Sequence, residues 1–249
     1  MSGAKLYLGG ATGITIDGNK ASAPPDSGPI IEMFDDNSIV SVGAGAVLRD
    51  NINRVSNGGA IRAVPGTVIV GGAGASIRDN EADNGGGISN TSGSIVINSG
   101  ATISGNKADS NGGGISSASG SIAINSGATI SGNTAGSNGG GIFTQRVNLG
   151  NLTVAASTTF SGNSAGAGGV ANYAVTDAGL YASHIFGILW SSSYTQGYNN
   201  FDIGYRGPLP NHNPTSVRER LLRARNRYDN SVVWCSSTTD YCKCLNSGR

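Results

Sequence analysis

Along residues 94–103 the chain reads Ser-Ile-Val-Ile-Asn-Ser-Gly-Ala-Thr-Ile, with aliphatic side chains on alternate positions and a short polar break at Asn98-Ser99-Gly100. Alternation of this kind predicts half-buried β-strands, with Ile95, Ile97 and Ile103 facing a core and Val96 and Thr102 facing out. No 3.6-residue apolar period runs through the stretch. A helix there would also carry roughly 1 kcal/mol of penalty for each glycine. The pattern recurs at 121–130, where Ile122, Ile124 and Ile130 take the inward positions.

The alternation is embedded in a repeat. Asn-Gly-Gly-Gly-Ile occurs at 84–88, 111–115 and 138–142, in steps of 27 residues. A second motif keeps pace with it: Ile-Asp-Gly-Asn at 16–19, Leu-Arg-Asp-Asn at 48–51, Ile-Arg-Asp-Asn at 77–80, Ile-Ser-Gly-Asn at 103–106 and 130–133, and Phe-Ser-Gly-Asn at 160–163. Strands this short are stable only when neighbouring copies pair their backbones at ~4.8 Å and share an interior. The expected fold is therefore all-β, a right-handed parallel β-helix of about six coils over residues 1–170. Inward columns are expected at Ile30, Ile61, Ile88, Ile115, Ile142 and Val170, whereas Ser116 is placed outward.

Each motif ends on an asparagine: Asn19, Asn51, Asn80, Asn106, Asn133 and Asn163. Asparagine tolerates the left-handed backbone region and bonds to turn backbone, so these six are read as a stacked structural ladder rather than as ligands. The glycine runs are read as corners that need positive φ and close backbone approach; no Lys-Ser or Lys-Thr follows them, so they are not phosphate loops.

Residues 171–206 leave the repeat and become aromatic, through Tyr173, Tyr181, Phe186, Trp190, Tyr194, Tyr198 and Phe201, which predicts an irregular cap over the last coil. Residues 207–249 form a third segment, with Ser216-Val217-Arg218-Glu219 as a capping box opening a short α-helix to about Arg227. A solvated or disordered tail, or an out-of-frame reading, accounts for the same residues. Residues 1–205 hold 8 Lys and Arg against 12 Asp and Glu, net −4, and 206–249 hold 8 against 3, net +5. The solenoid thus lacks the basic footprint of a nucleic-acid binder.

The three cysteines, Cys235, Cys242 and Cys244, all lie in that tail and lack zinc-ligand spacing. No apolar run approaches the ~18 residues that would span a bilayer. The start resembles no secretory signal, and a strand beginning almost at once points to a piece of a longer array.

Gly58-Gly59-Ala60-Ile61 and Phe160-Ser161-Gly162-Asn163 match the two tetrapeptide signatures of chlamydial polymorphic outer-membrane proteins. The remaining copies are similar, with Ile for Phe and Gly for Ala. The resemblance covers about residues 15–170. It implies a pectin-lyase-like β-helix and a surface or adhesive role, outside the cell or on its surface. The partner implied is a glycan or protein of a host or neighbouring cell, or a second copy. No series of ~10-residue alternating barrel strands follows the repeats.

A rival function is a polysaccharide lyase or hydrolase. Arg49-Asp50 lies one coil from Arg78-Asp79, so Asp50 and Asp79 could stand one strand spacing apart, where paired carboxylates shift their pKa values or bind Ca²⁺. The plainer reading is a turn where Arg and Asp screen each other, because Gly105 and Gly132 follow in the next coils. Gly71–Ile77 approaches a calcium nonapeptide but has Ser76 at the ligand position. A third reading is ice binding, from the row Thr15, Ser76, Thr102, Thr129 and Thr159, which Val47 interrupts. No cofactor and no metal is predicted. The preferred contact face is the uncharged strip Ser41, Ile69, Val96, Ala123 and Thr153, beside Thr102 and Thr129.

Overall fold

The structure is a computed structural model that describes residues 3–22, 27–145, 151–155, 157–167 and 201–206. It is an all-β parallel solenoid whose described residues hold one helical element, the 3₁₀ turn Lys20–Ser22. Three six-stranded sheets form its walls, and every pairing between coils is parallel. Six rungs, and so about five turns, account for the repeat copies.

The first wall stacks Lys5–Leu8, Ile39–Val42, Thr67–Val70, Ser94–Ile97, Ser121–Ile124 and Leu152–Val154. The second stacks Ile14–Asp17, Ala46–Arg49, Ser76–Arg78, Thr102–Ser104, Thr129–Ser131 and Thr159–Ser161. The third holds Ile31–Met33, Ile61–Ala63, Ile88–Asn90, Ile115–Ser117, Ile142–Gln145 and Ile203–Arg206. A short fourth sheet, Glu81–Ala82 to Ser164–Ala165, sits between the second wall and the third.

The alternation read from the sequence sets the core. Ile88, Ile95, Ile97, Ile103, Ile115, Ile122, Ile124, Ile130 and Ile142 are all buried and stack in columns. Burying each is worth about 1.5–3 kcal/mol relative to leaving it in water, and each column repeats that gain at every rung. Two column positions differ from expectation. Ile31, not Ile30, pairs with Ile61, because the connection through 18–30 is longer and shifts the phase by one residue. Ile203, not Val170, follows Ile142.

The strand Ile203–Arg206 thus belongs to the third wall, although it ends the stretch read as an irregular cap. Val170 and the remainder of that cap lie outside the described residues. So do the 207–249 tail, its helix and its cysteines.

Ser89, Ser116 and Phe143 face outward on the third wall, yet they are only 7–8 % exposed. The Asn-Gly-Gly corner causes this by folding back over them. Gly85, Gly112 and Gly139 take φ of 63–67°, and a Cβ on any of them would overlap the carbonyl oxygen of the isoleucine three residues on. Gly112 and Gly139 also lie against the Cβ atoms of Ser116 and Phe143. At the second glycine, a Cβ on Gly86 or Gly113 would overlap carbonyls of the following coil. The third position is looser, because Ala60 occupies it in one coil and still donates to Gly87 O at 2.9 Å.

Gly113→Ala should therefore cost about 3 kcal/mol or more, and Gly114→Ala less, about 1–3 kcal/mol, since its Cβ would meet one carbonyl oxygen of the following coil at 2.7 Å where that of Gly113 meets several backbone atoms more closely. Urea unfolding of the two variants checks the order. Ser116→Asp belongs with the damaging changes, since it sets a charge under the corner.

Candidate functional site

The second-wall corner carries the asparagine ladder. Asn51, Asn80, Asn106, Asn133 and Asn163 are buried and chained: the backbone N–H of each of the first four donates to the Oδ1 of the next coil's asparagine at 3.0–3.1 Å. Asn106 shows the full arrangement. Its Nδ2 donates to Ile77 O in the coil before and to Asn133 Oδ1 in the coil after, while its Oδ1 accepts from both nitrogens of Asn80. Two donors and two acceptor sites are all engaged, which is what a buried amide needs to avoid a desolvation penalty.

Asn19 does not belong to this ladder. It is exposed with φ at 51°, and its N–H bonds to Asp17 Oδ1 at 2.8 Å. Gly18 stands over the Asn51 side chain instead, leaving no room there for a second amide. The left-handed turn residue is also not the ladder asparagine but the one before it: Asp50, Asp79, Gly105, Gly132 and Gly162 have φ between 52° and 64°.

At the far end Asn163 Nδ2 donates to Asp202 Oδ1 at 3.0 Å, so a carboxylate takes the place of the next asparagine. Burial raises the Asp202 carboxyl to about 6, with the hydrogen bond from Asn163 pulling the other way.

A second ladder escaped sequence reasoning. Asn57, Asn84, Asn111 and Asn138 precede the glycine runs, and the Nδ2 of each of the last three donates back to the Oδ1 of the asparagine in the coil before at 3.1–3.3 Å. The recurring Asn before Gly-Gly was the available signal, but it reads equally as a turn residue.

The rival catalytic residues are placed on the second-wall corner. Arg49 and Arg78 are register partners, as the repeat implied. Asp50 is held by Arg49 at 3.2 Å and Asp79 by Arg78 at 2.6 Å, while Arg49 also reaches Asp17 at 2.7 Å. Each carboxylate is thus tied to the arginine preceding it, on a turn whose four side chains are 30–44 % exposed, where such pairs contribute little and screen each other. A shallow cleft of about 430 Å³, lined by Asp17, Asn19, Lys20, Ala21 and Asp50, opens beside them. Among the described residues no group of three or more His, Cys, Asp or Glu is arranged to hold a metal.

The outward columns run from rung to rung in register. On the first wall Tyr7, Ser41, Ile69, Val96, Ala123 and Thr153 are register partners in succession. From Ser41 to Ala123 they are half-buried, and Thr153 is exposed. On the second wall the row runs Thr15, Val47, Ser76, Thr102, Thr129 and Thr159.

The Chlamydia polymorphic membrane protein repeat matches at residues 100–118 and 127–145. Each match runs from the second wall through the ladder asparagine, the fourth sheet and the glycine corner to the third wall. Two copies of this repeat thus lie within the parallel β-solenoid. The repeat is one of bacterial outer-membrane and surface proteins. No curated protein and no solved structure matches the chain. No helix among the described residues is long and apolar enough to cross a membrane.

In the polymorphic membrane protein repeat, then, the matched residues are those that close the corners. Removing one buried amide should show this: Asn106→Ala leaves Asn80 without its acceptor and Ile77 O without its donor, an expected loss of about 2–4 kcal/mol in chemical denaturation. For Asp202 the charged form is the costly one in the fold. Below its unfolded value of 3.8 it is protonated in both states; between there and about 6 the unfolded chain releases its proton first, so stability falls as pH rises. The full loss is at most roughly 3 kcal/mol. Asp202→Asn keeps an acceptor for Asn163 and removes the charge. It should raise the neutral-pH unfolding midpoint and flatten that acid-side slope in thermal melts recorded against pH.

Proposed function

We propose that the protein is a bacterial cell-surface module that holds a partner by contact, with the first wall as its binding face. The observation that supports this is the uncharged column Ser41, Ile69, Val96, Ala123 and Thr153, standing on one wall in successive rungs. Small side chains on a flat sheet let a partner approach closely, and Ile69 and Val96 give it apolar area to cover. The parallel column of Ile39, Thr67, Ser94 and Ser121 is uncharged as well, and the Ser94 and Ser121 hydroxyls are 2.7 Å apart. The matched repeat stretches omit the first-wall strands Ser94–Ile97 and Ser121–Ile124. That wall is therefore free to vary without touching the ladder or the glycine corner, as a recognition surface needs.

The partner in this reading is a glycan or protein on a host or neighbouring cell. The second-wall carboxylates serve as turn residues, their charges balanced by Arg49 and Arg78. Val96→Lys with Ala123→Glu tests the reading. Both side chains point away from the core, so the thermal midpoint should move by no more than about 0.5 kcal/mol equivalent, while attachment of the purified chain to cells falls to background. Undiminished attachment by the folded double variant removes the first wall as the contact face.

A further inference from the structure

We infer that the occupant of the first wall is an uncharged, linear glycan laid along the solenoid axis, its sugars crossing successive rungs. The inference rests on the first wall being the contact face and narrows what that face can hold. Each strand there is short: Thr67–Val70, Ser94–Ile97 and Ser121–Ile124 have 4 residues apiece, and alternate ones are buried, so each presents a pair of side chains outward. The two outward columns stand about 7 Å apart along the strand and repeat every ~4.8 Å up the stack. From Ser41 to Thr153 they make a strip of roughly 20 Å by 10 Å by the same spacings.

That shape selects the class of partner. A folded protein held stably covers about 800 Å² on each side, several times the strip, and the chain leaves the wall at both margins to enter other sheets. An extended polymer one residue wide needs no more than the strip supplies. An extended peptide fits less well than a glycan, because the strands from Ile39–Val42 to Ser121–Ile124 already pair on both sides and leave no edge for its backbone.

Charge narrows the class further. The strands of this wall hold no charged residue from Ile39–Val42 to Leu152–Val154. Neither do the corners beside them, at 43–45, 71–74, 98–100 and 125–127 or at 64–66, 91–93 and 118–120. A carboxylated, sulfated or phosphorylated polymer would give up water there and find no counter-charge. The two columns also differ from each other. Thr67, Ser94 and Ser121 form a hydroxyl rail, with the Ser94 and Ser121 oxygens 2.7 Å apart, and Ile69, Val96 and Ala123 form an apolar rail beside it. A serine hydroxyl that donates to its neighbour keeps lone pairs for an incoming donor. A neutral sugar has the same two-sided character, hydroxyls on its edge and C–H groups on its faces, so a chain lying along the axis meets both rails at every rung.

The test starts with the purified chain on an array of neutral and acidic glycans. Calorimetric titration follows, with oligomers from the disaccharide upward of the neutral linear glycan that binds best. Affinity should climb with length until the oligomer spans the strip, then level off, and should not respond to salt. Ser94→Ala with Ser121→Ala should weaken binding about tenfold or more, while Thr134→Lys, exposed on the fourth sheet, leaves it unchanged. An array silent toward neutral linear glycans, a preference for acidic ones, affinity that ignores length, or a folded serine double variant that binds as before each overturns the proposal. Attachment to cells separates it from the reading on which it rests. Periodate oxidation of the cell-surface glycans should abolish attachment. Attachment that survives periodate but is lost in Val96→Lys with Ala123→Glu overturns the glycan and keeps the first wall; attachment indifferent to that double variant overturns both.

Discussion

A chain that coils around a narrow core must turn a corner several times per coil, and at each corner its backbone amides leave the sheet. Water can satisfy them only if the corner is outside. Here the second-wall corner is inside, and the asparagine ladder is what makes that tolerable. A ladder amide replaces both the water of its own side chain and that of the neighbouring coil's backbone, and at Asn106 every donor and acceptor is used. The parallel pairing, the 27-residue step and the inward phase of Ile103 and Ile130 all follow from holding those amides in register.

Directionality follows from the same bonds. The first ladder donates toward the C-terminus, from Asn51 to Asn163, and the second donates toward the N-terminus, from Asn138 to Asn57. A ladder ends with an unmet donor on the side toward which it points. The first therefore needs an acceptor beyond Asn163, and Asp202 supplies one at the cost of burying a carboxyl whose charge the site disfavours. An asparagine would serve the hydrogen bond without that penalty, so the geometry accounts for the acceptor and not for the choice of acid.

The strand phase was legible because alternation and a constant repeat length carry the same information twice. Where one of the two fails, so does the reading. Two isoleucines in a row at 30 and 31 carry no phase of their own, and the longer connection before them removed the register that would have chosen between them. Asn19 has the right spacing after Ile16, but membership of a ladder depends on the neighbouring rung, and Asn51 already fills the space over Gly18. The burial of Ser116 was invisible for a related reason: alternation gives the side of the strand, while the fold-back of the glycine corner over that side is a tertiary event. The outward columns from Ser41 to Thr153 and from Thr15 to Thr159 were readable, since the inward phase on each of those rungs places its outward neighbour.

Stability and recognition are separated on different walls. Corners, ladders and inward columns use Asn, Gly and Ile under tight steric limits, and the first two glycines of each corner leave no space even for a methyl group. The outward residues of the first wall touch none of that machinery. Substitution there changes chemistry seen from outside while the interior columns stay as they are. The two ends obey a different rule, because an end rung has only one neighbour to bury its core against. The C-terminal rung has Ile203 and Asp202 in place; the N-terminal rung has Leu6 and Ile14 in the open.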